Sequence, residues 1–176
     1  RCRPIRAVRR KPSTAYVSPM SLDSHSVDIA LEKLRAHGNT MPPVVAIQAD
    51  VTRYDGETLH VQAPLAPNVN DKGSAFGGSL TSVMTYAGWC LVSLQLQLRG
   101  LEAEVYVADS AVRYRKPLLA DLQAQASAVE GESWDTFFSI LGQRGRARIQ
   151  LQAAVLLPDG GVAADLSGRY VAIMKG

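Results

Sequence analysis

The sequence predicts an α+β domain in which an antiparallel sheet wraps around one long helix. Several segments alternate apolar and polar residues with a period of two, which is typical of half-buried strands. One stretch, residues 73–98, has no charged residue and is typical of a buried helix. The sequence contains neither repeated strand–helix–strand units nor a phosphate-loop lysine motif, which argues against a parallel nucleotide-binding sheet.

The composition is that of one ordinary globular domain. The chain has 176 residues, of which 47% are hydrophobic, 20% charged and 6% aromatic, so we expect a sizeable core. Six of the 19 basic residues and none of the 16 acidic residues precede Met20, so the remainder has a net charge of −3. A nucleic-acid partner is therefore not expected, because it would need a basic face within the folded part. Met20 resembles a translation start, and we expect a disordered basic extension over residues 1–21 and a single domain over residues 22–176.

The cysteines and histidines indicate a reducing compartment and no metal site. Cys2 and Cys90 are too few for a disulfide framework or a four-ligand zinc site, and Cys90 lies in an apolar run where a buried free thiol is expected. The three histidines, His25, His37 and His60, do not have the spacing of metal ligands. The sequence thus predicts a cytoplasmic protein.

A helix and a hairpin are predicted first along the chain. Residues 24–37 carry apolar side chains at helical spacing and end before a Gly-Asn pair. From Val44 the period changes to two, and Asp55-Gly56 separates two alternating runs. This pattern predicts strands over residues 44–52 and 59–63.

The uncharged stretch 73–98 is long enough to cross a bilayer. Its eight Ser, Thr and Gln residues favour a buried helix instead, so no membrane partner is expected. A second stripe beside the main apolar stripe, formed by Thr81, Thr85, Trp89 and Val92, predicts that the helix is covered on more than one side. The run VSLQLQL at the end also alternates with a period of two, so its last turns are open to an extended conformation.

The chain after this stretch alternates as strands do. A Pro-Asp-Gly-Gly turn at 158–161 joins the last two strands into a hairpin. An antiparallel sheet around the uncharged helix satisfies the whole layout. The predicted strands cover residues 106–114, 122–128, 137–141, 147–157 and 162–174.

A longer motif precedes and enters the buried helix. The segment NVNDKGSAFGGSL at residues 68–80 leads directly into TSVMTYAGWCLV, and ADSAVRYRKPL follows at residues 108–118. These stretches resemble the YiiD-type thioesterase domain, a branch of the hotdog-fold thioesterases that in some proteins follows an acetyltransferase domain. The resemblance covers roughly residues 40–174. It implies a hotdog fold, hydrolysis of acyl thioesters of coenzyme A or acyl carrier protein, and active sites shared between two subunits of a homodimer or dimer of dimers.

The pair Gly77-Gly78 is a candidate oxyanion hole. Two glycines at a helix start let a carbonyl oxygen approach the backbone N–H groups, and the helix dipole stabilises the negative charge that develops during acyl transfer. A glycine pair alone is more simply a tightly packed helix start, but the surrounding motif favours the oxyanion hole. We also expect Phe76 and Ser79, on either side of the glycine pair, to contact the substrate.

The general base is harder to assign from the motif. The broader PaaI-like branch has an Asn, then His-Gly-Gly, then an acidic residue seven positions after the last Gly. Asn70 and the glycine pair match, whereas Phe76 stands in place of the His and Thr85 in place of the acid. We predict that Asp71, or a water held by Asn70 and Thr85, supplies the base, with Asp109 as a third candidate.

Each of these polar residues also has a structural interpretation. Asp71 could cap its loop, Thr85 could bond back within its helix, and Asp109 could pair with Arg113 on the same strand.

Two basic clusters could bind the phosphates of coenzyme A. The resemblance favours the first, because hotdog enzymes place a similar segment beside the substrate entrance. A solvated strand face is the alternative for both. The first cluster is Arg113, Arg115 and Lys116, and the second is Arg144, Arg146 and Arg148.

The sequence therefore predicts an acyl thioester hydrolase that uses direct attack of water, with no cofactor besides the coenzyme A of its substrate. No GxSxG elbow or reactive-cysteine setting favours a covalent hydrolase, and the glycine pair has no neighbouring histidine of the kind a hotdog dehydratase would carry. Two alternatives remain open. One is a non-catalytic acyl-thioester-binding or regulatory protein, and the other is an interaction module that partners an acetyltransferase.

Overall fold

The computed structural model describes residues 24–175 and confirms the α+β hotdog architecture. The basic extension predicted over residues 1–21 lies outside the described residues. In chain order the elements are α1 (Ser24–Gly38), α2 (Pro42–Ala46), β1 (Asp50–Tyr54), β2 (Leu59–Ala63), a 3-10 turn (Ala66–Asn68), α3 (Gly77–Leu98), β3 (Ala103–Tyr114), β4 (Leu122–Ala128), α4 (Trp134–Arg144), β5 (Arg146–Leu156) and β6 (Val162–Met174).

The strands form one antiparallel sheet in the order β1-β2-β4-β5-β6-β3. The predicted terminal hairpin is β5–β6, which pairs from Arg146 opposite Ile173 to Leu156 opposite Val162. β3 pairs with β6 along its length, with Tyr114 opposite Ala164. The edges of the sheet are therefore β1 and β3.

Helix α3 lies against one face of the sheet and forms the centre of the core. Its side chains Val83, Met84 and Leu91 are fully buried, as are Ile149 and Tyr170 from the sheet. The run VSLQLQL stays helical to Leu98 because its leucines face the core, and the turn after it ends the helix. No helix among residues 24–175 is both long and apolar enough to cross a membrane.

The strand predicted from Val44 begins later than expected. Pro42 and Pro43 open the short helix α2, because proline fits the first turn of a helix, where its missing N–H is not needed. The chain then passes through Gln48, whose φ is 54°, and the strand begins at Asp50. The two prolines therefore start a second helix in place of the predicted first part of the strand.

The strand predicted over residues 137–141 is wrong, because this segment belongs to helix α4. The Ser133 hydroxyl caps the helix by accepting the Thr136 amide at 3.3 Å. Gly145, with a φ of 67°, ends it in the left-handed conformation. Phe137 and Leu141 are buried one turn apart, and a window as short as FFSIL satisfies both a helical and a strand pattern.

The middle of α3 packs very closely on β6. The Tyr170 hydroxyl donates to the Thr85 carbonyl at 3.1 Å, and a Cβ at Gly88 would lie 2.2 Å from that hydroxyl oxygen. Only glycine fits at this position. Cys90 lies in the same turn and is fully buried, so burial raises the pKa of its thiol and keeps it unreactive.

The two edge strands are protected differently. The Arg35 guanidinium of α1 donates to the carbonyls of Val51 and Thr52 in β1, at 2.7 and 3.1 Å. Within the part of the chain that the structure describes, no strand pairs with the outer side of β3. We refer to β1, Asp50–Tyr54, as the closed edge and to β3, Ala103–Tyr114, as the open edge.

Candidate active site at the start of helix α3

The loop that leads into α3 is anchored by a buried asparagine. Asn68 donates from its side-chain amide to the carbonyls of Ile47 (2.9 Å) and Pro64 (2.8 Å). Its own carbonyl accepts the amide of Phe76 at 2.7 Å. These bonds fix the position at which the chain enters the helix.

Asn70 organises the same loop through its side chain. Its Oδ1 accepts the amides of Lys72 (2.9 Å) and Ser74 (3.2 Å), and its Nδ2 donates to the Ser74 hydroxyl at 3.0 Å. The structure thus uses both ends of this amide to close the loop. That Asn70 also holds a catalytic water stays a prediction.

Asp71 lies at the surface of the loop. Its side chain is 80% exposed, and its carboxylate pairs with the neighbouring Lys72 ammonium at 3.0 Å. No other residue within 24–175 forms an ion pair with it. The role of Asp71 as the general base stays a prediction, and nothing in its surroundings prepares it for that role.

The first turn of α3 presents backbone N–H groups that no side chain within the described range caps. Phe76 occupies the cap position with extended backbone angles and provides no capping bond. The first N–H groups of a helix have no partner within the helix, and the helix dipole makes this end positive. The amides of Gly77 and Gly78 are therefore suited to stabilise an oxyanion.

Two exposed aromatic rings lie against the glycine pair. A Cβ at Gly78 would lie 2.3 Å from the ring of Phe76, and a Cβ at Gly77 would lie 3.3 Å from the ring of Tyr114. These rings are 56% and 59% exposed. The glycines thus do more than free the backbone, because they also make room for the two rings that flank the uncapped amides.

A hydroxyl pair lies beside Gly77. The hydroxyls of Thr81 and Tyr114 are 2.7 Å apart, and each is within hydrogen-bond distance of the Gly77 carbonyl, at 3.1 and 3.2 Å respectively. Neither residue is among the candidates predicted from the sequence. Thr81 could have been found as the residue one helical turn after Gly77, whereas Tyr114 reaches the site only because β3 runs beside α3.

The roles of Thr85 and Ser79 in the site stay predictions. Thr85 is half-buried one turn beyond Thr81, and its carbonyl accepts the Tyr170 hydroxyl. Ser79 is buried, with 8% of its surface exposed. Of the predicted substrate-contacting residues in this helix start, Phe76 is the one that the structure leaves open to solvent.

The first basic cluster lies where β3 ends, next to Tyr114. Arg115 forms an ion pair with Asp165 of β6. Neither Arg113 nor Lys116 forms an ion pair with any residue in the described range. Two of the three basic side chains are therefore available to an anionic ligand.

The second basic cluster lies at the opposite end of the sheet. On β6, Ala164 is opposite Tyr114, whereas Ile173 is opposite Arg146. Nine residues of extended strand separate these positions, which corresponds to about 30 Å. Arg144, Arg146 and Arg148 are thus remote from the glycine pair.

Asp109 is paired across the strands. Its carboxylate forms an ion pair with Arg169, the residue opposite it on β6. The structural interpretation of Asp109 as an ion-pair partner therefore holds, but Arg113 as its partner was wrong. Among residues 24–175 there is also no group of three or more side chains that could hold a metal ion.

Solved structures share this fold across most of the chain. A protein of unknown function from Chlorobaculum tepidum is 29% identical, with a TM-score of 0.78, over 84% of this chain and 96% of that chain. A "putative thioesterase" from Shewanella oneidensis is 30% identical, with a TM-score of 0.74, over 83% and 99% of the two chains. A thioesterase from Haemophilus influenzae, 13% identical over 82% and 90% of the two chains with a TM-score of 0.62, shares the fold alone.

A family model that matches the amino-acid sequence supports the same relationship. Its description is "Putative thioesterase (yiiD_Cterm)", and it matches residues 31–174, which include the whole helix start and both flanking aromatic residues. The resemblance seen in the motif at residues 68–80 is confirmed. This chain belongs to the YiiD C-terminal thioesterase family.

Proposed function

We propose that this chain hydrolyses acyl thioesters by direct attack of water. The observation that carries the proposal is the uncapped first turn of α3, where Gly77 and Gly78 lie between the exposed rings of Phe76 and Tyr114. A thioester carbonyl oxygen placed at these amides gains stabilisation as water adds to its carbon. The C–S bond then breaks and the thiol leaves, so the reaction needs no cofactor.

The thioester is carried by coenzyme A or acyl carrier protein in this proposal. Both carriers bring phosphate groups, and guanidinium and ammonium groups bind phosphate well. Arg113 and Lys116 support the proposal because they are free of ion pairs and lie at the glycine end of the sheet. Arg115 would have to leave Asp165 to take part.

The working form in this proposal is a cytoplasmic homodimer. The open edge supports it, because twelve residues of exposed strand are a template for pairing with a second chain. Tyr114 ends that strand beside the glycine pair, so a partner on the open edge would also border the site. A dimer of dimers, and the absence of nucleic-acid and membrane partners, stay predictions.

Thiol release from short, medium, long and aromatic acyl-CoA substrates, and from the corresponding acyl carrier protein thioesters, tests the function. The chain starting at Met20 is expected to release thiol well above background on at least one substrate. Gly78→Ala is expected to lower kcat about 100-fold, because the new Cβ displaces the Phe76 ring and obstructs the amides. Gly142→Ala is the matched control, since a Cβ there meets no atom within 4 Å.

A non-catalytic acyl-thioester-binding protein is the second candidate. It is supported by the helix start itself, where no carboxylate or imidazole within residues 24–175 bonds to the glycine turn. Tight binding of an acyl-CoA in calorimetry, together with no thiol release from any substrate, would favour this candidate over the enzyme. The interaction module that partners an acetyltransferase stays a prediction from the sequence.

A further inference from the structure

The hydroxyl pair at the glycine turn forms a closed group with the Gly77 carbonyl. Thr81 and Tyr114 bring two hydroxyl protons, and the Gly77 carbonyl can only accept. Either hydroxyl can donate in the 2.7 Å contact, and the other then donates to the carbonyl, at 3.1 Å from Thr81 or 3.2 Å from Tyr114. In both arrangements the Tyr114 proton is bonded within the group, and the Tyr114 oxygen keeps a lone pair for a ligand.

The position of that oxygen matters for the proposed reaction. Tyr114 is 59% exposed, its ring lies directly against Gly77, and its oxygen is 3.2 Å from the Gly77 carbonyl, so it lies beside the turn that carries the uncapped amides. The oxygen of a thioester needs hydrogen-bond donors, which the amides supply. An attacking water needs an acceptor that turns its lone pair towards the carbonyl carbon, and the Tyr114 oxygen supplies one.

We propose that Tyr114, held in place by Thr81, orients the water that attacks the thioester. The inference rests on the proposed hydrolase function and adds a catalytic residue to it. It provides a polar group at a helix start where Phe76 and Thr85 replace the histidine and acid of the broader pattern. Thr81 acts through Tyr114 and is a positioning residue.

The step is balanced without any further reactant. The water oxygen bonds to the carbonyl carbon, the C–S bond breaks, and the electron pair of that bond goes to sulfur. One water proton remains on the carboxylic acid product, and the other ends on the thiol. Tyr114 accepts a hydrogen bond throughout and keeps its own proton.

Three variants test this arrangement by steady-state kinetics on the best substrate of the panel. Tyr114→Phe keeps the ring and removes the hydroxyl, so kcat is expected to fall at least about tenfold while KM changes less than about twofold. Thr81→Val is expected to cause a smaller loss, because the Tyr114 hydroxyl can then donate to the Gly77 carbonyl instead. The double variant is expected to lose no more than Tyr114→Phe alone.

Two matched controls separate this role from a structural one. Ser82→Ala removes a hydroxyl that bonds back to the Gly78 carbonyl at 2.9 Å in the same turn but does not touch Tyr114. Tyr106→Phe removes the hydroxyl of the other exposed tyrosine on β3, which bonds to Glu104. Both are expected to keep kcat within about twofold of the parent. Thermal unfolding confirms that every variant is folded.

The outcomes distinguish the role of Tyr114 from the hydrolase function itself. An active parent whose Tyr114→Phe variant keeps kcat within about twofold overturns this inference and leaves the hydrolase function standing. Losses from Tyr114→Phe and Thr81→Val that multiply in the double variant also overturn it, because the two hydroxyls would then act independently. A parent that releases no thiol from any substrate overturns the hydrolase function and this inference together.

Discussion

The closed edge and the open edge solve the same problem of unpaired backbone groups in opposite ways. The closed edge is a five-residue strand with a bulge between Val51 and Arg53, and the Arg35 side chain bonds two of its carbonyls. The open edge is twelve residues long, and most of its side chains are exposed. The open edge also has a bulge, between Val107 and Asp109, so the two edges differ in length and in cover. Short and covered edges resist pairing, whereas long uncovered edges invite it.

This difference indicates which edge a second chain would take in the proposed homodimer. The fold blocks one side of its sheet with its own first helix and leaves the other side available. The available side ends at Tyr114, beside the glycine turn, whereas the blocked side carries none of the candidate site residues. The open edge therefore differs from the closed edge both in its lack of cover and in its position beside the candidate site.

The largest expected effect comes from placing a charge in the open edge. Val107→Lys puts an ammonium group at an exposed apolar position of β3, where pairing with a second copy would bury it. We expect the dimer to dissociate at least about 100-fold more readily, because burying an unpaired charge is costly. Light scattering across micromolar concentrations measures the change.

A matched control for this variant is Leu119→Lys, which adds the same charge at an exposed residue of the loop after β3. It is expected to leave the oligomeric state unchanged. A parent that is monomeric at these concentrations would contradict the assignment of the open edge as an interface.

Uncovering the closed edge is expected to have the next largest effect. Arg35→Met keeps the aliphatic stem but removes the donors to Val51 and Thr52, and the loss of these charge-assisted bonds should cost about 1–2 kcal/mol of unfolding free energy. Urea unfolding measures this loss. Arg35→Lys is the comparison variant, since one ammonium cannot reproduce the planar fork and should recover only part of the stability. Equal stability of Arg35→Met and the parent would show that the edge does not need its cover.

Loosening the attachment of the open edge to the core should lower the free energy of unfolding by a smaller amount. The Trp89 indole N–H donates to the Val105 carbonyl at 3.1 Å and ties the start of β3 to α3. Trp89→Phe removes this bond, and we expect a loss of about 1 kcal/mol in urea unfolding. Trp134→Phe serves as the control, because it makes the same ring change in α4, away from β3.

The smallest effect is expected in the turn of the closed-edge hairpin. Backbone hydrogen bonds from Thr58 and Glu57 hold the pKa of Asp55 below its ordinary value of 3.8. Since the pKa of Asp55 is lower in the folded state, the stabilisation by its carboxylate is complete above pH 3.8. It is lost as the pH falls through the folded pKa. Asp55→Ala should therefore lower stability by less than about 1 kcal/mol at pH 7, given the exposure of this group. The difference in melting temperature should shrink between pH 4 and pH 2.

Hydrophobic periodicity was sufficient to predict the elements of this fold that have one buried face and one solvent-exposed face. The β5–β6 hairpin follows directly from it. Helix α3 is buried on more than one side and was predicted from its lack of charge together with its helical spacing. Periodicity failed at residues 137–141, where the apolar residues fit both periods and the deciding Ser133 cap lies outside the window. It also misplaced the first strand, because local proline geometry prevails over alternation at Pro42 and Pro43.

The candidate site was predictable where it is contiguous in sequence. The glycine pair and its loop lie within residues 68–80 and were found from the motif. Tyr114 was not found, because 37 residues separate it from Gly77 and only the passage of β3 along α3 brings them together. The pairing of Asp165 with Arg115 also leaves Arg113 and Lys116 without an ion pair among the described residues. The sequence pattern does not reveal which of the three basic residues forms this pair.

The burial of Cys90 makes the reactivity of its thiol a measure of how often the core opens. It is the one cysteine after Met20, it lies among fully buried side chains, and this burial raises the pKa of its thiol. We therefore expect labelling of Cys90 by a thiol reagent to require opening of the packing between α3 and the sheet. The labelling rate thus reports how often the core opens. A bound acyl ligand that stabilises the helix should slow the labelling.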